Sequence, residues 1–221
     1  DEGNGVGNYC TLNPLDYGSR STSTFANGNL DVSNSNGSSA DSLYRGTFGV
    51  SSGKWYFEVL FTEMYNTEAS VGIAKGSDSF SLSTSTNPYY NGSLVNYLYR
   101  ANGNKETNSG SATSYGATWT TNAVIGVALD LDSGTLTFYK NGSSQGSAFT
   151  SITGTWFPCI INGGGDSALV ANFGQRPFDN LPTGYKALNT FNLDDPTIAD
   201  PSKHFDIATD TGANILSAAT G

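Results

Sequence analysis

The sequence predicts an all-β protein, an antiparallel two-sheet β-sandwich. Three observations carry that prediction. The 221-residue chain holds 27 Gly, 28 Ser, 24 Thr and 22 Asn, nearly half its length in small, turn-prone residues, which excludes long helices as the main architecture. It also holds 12 Tyr, 12 Phe and 3 Trp, too many aromatic rings for a disordered chain. Finally, apolar residues alternate with a period of two, and Gly, Asn and Asp punctuate the runs at short intervals.

Residues 1–42 are rich in Gly, Asn and Ser, with short strand-like pieces near Asn8–Leu12 and Gly28–Val32 around an Asn27-Gly28 turn signal. In the run 54–61, Trp55, Phe57, Val59 and Phe61 share one face, while Tyr56, Glu58 and Leu60 share the other. That is a strand with an apolar inner face. Ser70–Lys75 is a shorter strand with Val71 and Ile73 inward. Leu94–Arg100 and Asn104–Asn108 flank a hairpin signature, Ala101-Asn102-Gly103. The strongest unit is 123–142. Ala123–Leu131 is apolar on both faces, as a central strand requires, and Asp132-Ser133-Gly134 turns the chain. Thr135–Lys140 returns, and Asn141-Gly142 turns it again. Further strands follow at Thr155–Asn162 and Ser167–Gly174, joined through Gly163-Gly164-Gly165, which reads as a flexible turn. Trp55, Phe57, Ile125, Val127 and Phe138 are the expected interior.

The organisation reads as an N-terminal extension packing on the domain (1–42), a β-sandwich (43–190), and an acidic, Pro-containing linker leading toward a further module (191–221). Asp1 in place of Met and the small-residue tail suggest one segment of a longer, modular protein. Cys10 and Cys159 are expected as buried free thiols, with a single bridge as the alternative. The formal net charge is -9, which repels nucleic acid. No apolar run reaches the ~18 residues of a membrane span.

At these motifs a family becomes visible. Gly53–Val59 resembles the opening strand of SPRY domains, and Val71-Gly72-Ile73-Ala74 their next strand. Val124–Asp132 with Gly134–Gly142 is similar to the family's most diagnostic hairpin. Phe157-Pro158 and Val170–Gly174 complete the set in order, over roughly Leu43–Leu188. The match places Tyr115 and Trp119 just before the diagnostic strand, which implies core positions for both, and Tyr97, Tyr99 and Arg100 take the same expectation. The resemblance implies a concanavalin A-like jelly-roll sandwich that binds partners through its loops, with no cofactor. A narrower resemblance lies at the flanks. Asn8–Leu15, Gly174–Phe178 and Gly184–Thr190 are similar to SPRY modules of bacteriophage tail and fibre proteins. It implies a virion-surface location in a tail or fibre after assembly in the host cytoplasm. It also implies other virion proteins as partners, a homo-oligomer such as a trimeric fibre, and a host-surface glycan or protein as ligand.

Catalysis is not expected. Gly49–Gly53 and Gly142–Gly146 both match G-x-S-x-G, but neither lies between a strand and a helix, and the one histidine, His204, is in the acidic tail. Glu58 has a strand position with no companion carboxylate motif, so it reads as a solvated or hydrogen-bonded strand residue rather than half of a glycosidase pair. Glu63 and Glu68 fall in a loop. Asp130, Asp132 and Asp166 could ligate a hard cation, yet an Asp at a hairpin more often caps its own turn, and no metal is expected. Gly163-Gly164-Gly165 lacks the lysine of a phosphate loop.

Binding has a better candidate. The segment Phe80–Ser93 mixes tyrosine with Ser, Thr, Asn and Gly, a paratope-like composition in which rings supply area and small polar groups supply hydrogen bonds. Asn87, Tyr89, Tyr90 and Asn91 are the expected ligand-binding residues. Two readings compete with host attachment: a purely structural virion spacer or decoration, and an intracellular adaptor that binds short peptides.

Overall fold

The computed structural model describes residues 7–19, 22–35, 41–76, 95–107 and 112–193. In chain order its strands are β1 (Leu12–Ser19), β2 (Ser23–Ala26), β3 (Asp31–Asn34), β4 (Ser42–Gly46), β5 (Lys54–Glu63), β6 (Ser70–Lys75), β7 (Asn96–Arg100) and β8 (Asn104–Thr107). They continue as β9 (Thr113–Ser114), β10 (Val124–Asp130), β11 (Thr135–Lys140), β12 (Ser143–Phe149), β13 (Trp156–Ile161), β14 (Ser167–Asn172) and β15 (Lys186–Ala187). A single 3-10 turn follows at Thr190–Asn192.

Two sheets stack face to face. The first runs β1-β4-β13-β6-β7-β8-β9 and the second β12-β11-β10-β5-β14-β3-β2. All of these pairings are antiparallel; the short β15 joins β5 in parallel at Trp55 and Tyr56. The sandwich predicted from the sequence is therefore the fold. The N-terminal strands join both sheets: β1 pairs with β4 in the first, while β2 and β3 extend the second sheet beyond β14. The strand pieces expected at Asn8–Leu12 and Gly28–Val32 are displaced to these three strands. The Asn27-Gly28 turn signal is the tip of the β2–β3 hairpin, and the strand piece expected from Gly28 begins at Asp31.

Period-two alternation fills the space between the sheets. Trp55, Phe57, Ile125, Val127 and Phe138 all point inward and are buried. Fully burying one such side chain contributes about 1.5–3 kcal/mol. Their rings and neighbours interlock, with centroids 5.6 Å apart for Phe57 and Phe173 and 5.4 Å for Tyr99 and Phe138. β10 lies between β5 and β11 in its sheet. Its inward Ile125, Val127 and Leu129 are core, and the Tyr56 side chain covers Gly126 on the outward face.

Outer faces are also closed in places. On the first sheet, Leu43, Ala74, Leu98, Cys159 and Ile161 form a second buried cluster. On β5, Tyr56 and Glu58 are buried as deeply as the inner face. The two cysteines are free and buried, and burial pushes the thiols up to about 11 for Cys10 and about 12 for Cys159. Both stay protonated at neutral pH and are poor nucleophiles. The triglycine turn departs from its reading as flexible. Gly163, Gly164 and Gly165 are buried with φ of 77, 79 and 54°, and the Tyr65 side chain fills the space that a Cβ on Gly165 would need. A packed, left-handed turn excludes side chains rather than permitting motion.

Candidate functional site

Asn87, Tyr89, Tyr90 and Asn91 lie outside the described residues, as do His204 and the rest of the acidic tail. Among the described residues, the geometry that suits ligand contact is at one end of the sandwich. Three connections converge there: 64–69 between β5 and β6, 115–123 before β10, and 162–166 between β13 and β14.

The first two line an open hollow of about 260 Å³ formed by Met64, Asn66, Thr67, Trp119, Thr120 and Thr121, and the third backs it, with Gly165 against Tyr65. Its floor is the edge of the core. The Trp119 ring packs on Phe61 with centroids 5.2 Å apart, and its backbone N–H donates to the Ala101 carbonyl at 2.9 Å. Trp119 Nε1 is buried with no hydrogen-bond partner among the described residues. The walls are held by short local bonds. Asn66 Oδ1 accepts from the Glu68 backbone N–H at 2.7 Å, and the Asn122 N–H donates to the Phe61 carbonyl at 2.8 Å. Beside the cavity, Tyr65 rests on Gly165 and keeps 52 % of its surface exposed. A thioether and an indole edge beneath, with three hydroxyls and an amide around them, can take a small apolar group presented on a polar backbone. Nothing lining the cavity is a general base or an activated nucleophile.

Below this rim, Arg100 anchors the wall. Its guanidinium bonds Glu106 Oε2 at 2.7 Å and also reaches Glu68. Burial pushes the Glu106 carboxyl above the usual carboxylate range, against the pull of Arg100. Glu68 is thus in a loop as expected, whereas Glu63 is the last residue of β5.

A second cleft, about 280 Å³, opens on the outer face of the second sheet beside Glu58, Leu60, Val124, Val170, Asn172 and Arg176. Its carboxylate is already occupied. Glu58 Oε1 accepts from Tyr56 Oη at 3.0 Å and the Asn180 N–H at 3.1 Å, and Oε2 accepts from the Asp179 N–H at 3.0 Å. Glu58 is the hydrogen-bonded strand residue of one sequence reading, and it pins the segment after β14 onto the sheet. Burial and the adjoining carboxylate push the Tyr56 phenol far up.

The remaining sequence candidates are structural in their geometry. Asp130 Oδ1 accepts from the N–H groups of Asp132 at 3.0 Å and Ser133 at 2.9 Å, capping its own turn. Its other oxygen pairs with Lys54 Nζ at 2.8 Å. Burial works to raise the Asp130 pKa, but the Lys54 and Ser133 hydrogen bonds outweigh it and hold the carboxyl below its ordinary value. Asp132 Oδ1 accepts from the Gly53 N–H. Among the described residues, no three His, Cys, Asp or Glu side chains converge as a metal site. Ser51 precedes β5 and Ser144 lies on β12, so neither occupies a strand-to-helix elbow.

Two antiparallel sheets packed face to face, with a hollow built from loops at one end, define a β-sandwich. Residues 54–176 match the model of the SPRY domain, more than half of the chain, and the chain belongs to the SPRY domain family. SPRY domains are in general non-enzymatic modules of protein–protein interaction. The chain is 28% identical over 151 residues to a probable ATP-dependent RNA helicase, ddx1, of Dictyostelium discoideum, covering 67% of this chain and 18% of the helicase. It is 38% identical over 76 residues to Ran-binding protein 9 of Homo sapiens, covering 34% of this chain and 10% of that protein. The chain therefore spans less than a fifth of the curated relatives it matches. Among solved structures, the SPRY domain of human HERC1 superposes with a TM-score of 0.58 at 20% identity, over 75% of this chain and 99% of that one. Stonustoxin gives 0.55 at 20% identity, over 74% of this chain and 27% of that one. At such identities these structures are evidence of the fold alone.

Proposed function

We propose that this SPRY domain is a binding module of a bacteriophage tail or fibre protein, and that it grips a protein or glycan partner at the rim formed by Met64, Tyr65, Thr67 and Thr120. The carrying observation is the cavity beside a half-exposed Tyr65: an aromatic ring, held on a rigid glycine turn, next to an unfilled amphipathic hollow. Rigid, exposed tyrosines give contact area at low entropic cost. Support for the virion setting comes from the flanks. The segments similar to phage modules clasp each other: the Cys10 N–H donates to the Leu188 carbonyl at 2.8 Å, and the Thr190 N–H to the Asn8 carbonyl at 2.9 Å. Many copies on one particle would multiply weak contacts into avidity. Other virion proteins would be its neighbours, and a host-surface glycan or protein its target.

A second reading, an intracellular adaptor that binds short peptides, is favoured by the likeness to Ran-binding protein 9. Peptide display against the purified protein separates the two. Enrichment of one motif, with affinity falling by about tenfold or more in Thr67→Arg, supports the adaptor. Adsorption to bacterial cells that falls in Tyr65→Ala, Tyr89→Ala or Tyr90→Ala, with no enriched peptide, supports the virion receptor role. Adsorption that none of these substitutions alters would remove the rim from the proposal.

A further inference from the structure

The chain carries the tetrapeptide Ala-Asn-Gly-Asn twice, at 26–29 and 101–104. Asparagine before glycine can convert spontaneously. The Gly amide nitrogen, once deprotonated by solvent hydroxide, attacks the Asn Cγ. The new N–Cγ bond closes a five-membered imide, the Cγ–Nδ2 bond breaks and ammonia leaves. Water then opens the ring to aspartate or isoaspartate. The step needs a side chain free to swing back over the following nitrogen, and a nitrogen free to receive it.

We propose that Asn27 is a site of spontaneous deamidation, selected by the fold over the other described Asn–Gly pairs. Asn27 and Gly28 are both exposed at the β2–β3 tip, and a Cβ built on Gly28 has no atom within 4 Å. The Asn27 amide has one described contact, donated by Nδ2 to Asp31. The other three pairs are clamped through the amide oxygen. Asn102 Oδ1 accepts from the Asn104 N–H at 3.0 Å, and the would-be nucleophile, the Gly103 N–H, already donates to the Arg100 carbonyl at 3.0 Å. Asn141 Oδ1 accepts from the Val124 N–H at 2.8 Å. Asn162 is buried, with Oδ1 held by Ser42 N–H at 2.7 Å and Nδ2 donating to Ser167 at 2.9 Å.

The product has a consequence. A carboxylate at residue 27 loses the donor to Asp31 and faces it as a like charge. Asp31 and Ala26 line an open groove of about 140 Å³ on β2, β3 and β14, so ageing loosens that edge and makes the groove more acidic.

The experiment is to hold the folded protein in mildly alkaline buffer, digest samples over time and measure by mass the acid formed at each Asn. Residue 27 should convert several-fold faster than residue 102, whose tetrapeptide is the same. In denaturant the two should converge. Equal or faster conversion at residue 102 in the folded protein overturns the proposal, as does a lead at residue 27 that persists in denaturant. So does a folded protein in which residue 27 stays intact while the denatured chain converts.

Discussion

Two turns spelled with the same four letters, at 26–29 and 101–104, have little else in common. The first bulges into solvent. Asn27, Gly28 and Asn29 are all left-handed, with φ of 48, 64 and 64°, and the Leu30 N–H closes the loop on the Ala26 carbonyl at 3.1 Å. In the second, only Gly103 has a positive φ, 88°. Ala101 is fully buried, its N–H donating to the Ala69 carbonyl at 2.8 Å and its carbonyl accepting from Trp119. The Gly103 carbonyl accepts from Tyr115 and Gly116. Neighbouring segments take up the Ala101 and Gly103 backbone groups of the second turn, whereas in the first the Asn29 carbonyl accepts from the Leu12 N–H at 3.0 Å and the tip residues Asn27 and Gly28 are exposed. Local sequence places a reversal at each site, and its packing surroundings choose the conformation.

The contrast can be broken most severely at Arg100, the residue before the buried turn. Arg100→Met leaves the Glu106 carboxylate buried without its guanidinium and should destabilise the domain by about 3–5 kcal/mol in denaturant unfolding. Next come the two glycines. Gly103→Ala forces a left-handed alanine whose Cβ would lie 2.7 Å from the Gly116 carbonyl oxygen, and should cost about 3 kcal/mol. Gly28→Ala meets open space and should cost about 1 kcal/mol, the backbone penalty alone. Equal losses in the two variants would show that the turns are not packed differently.

Glu106 sharpens the comparison through pH. Its folded pKa is raised, so in the window between the ordinary carboxyl pKa and the raised value the folded state holds more protons than the unfolded one. Stability then falls as pH climbs through that window, and Glu106→Gln should flatten this segment of a stability–pH curve. The smallest effect belongs to the exposed turn. Asp31→Asn keeps an oxygen that can accept from Asn27 Nδ2 and removes only the charge, so it should change stability by less than about 0.5 kcal/mol by thermal melting.

The candidate site was less legible than the fold. Strand runs such as 54–61 and 123–131 announce themselves because alternation and β-propensity act along the chain itself. The family resemblance places Trp119 just before the diagnostic strand and so in the core, and its ring is buried, yet its edge also lines the rim hollow. Met64 and Thr67 carry no signal in sequence, since one thioether and one hydroxyl in a polar loop are ordinary. Tyr65 offers a faint one, a single aromatic residue among loop polars. Glu58 was readable as a strand residue, but its three hydrogen bonds come from Tyr56, Asp179 and Asn180, two of them more than a hundred positions away.

By itself the sequence determined which segments are strands, which faces are apolar and where the chain reverses, because these depend on side-chain period and on residues that tolerate left-handed backbone. Only the tertiary structure decided which reversals are buried, which loops meet to make a cavity, and which of two identical tetrapeptides is held. Those outcomes depend on hydrogen-bond partners and neighbours brought from distant parts of the chain.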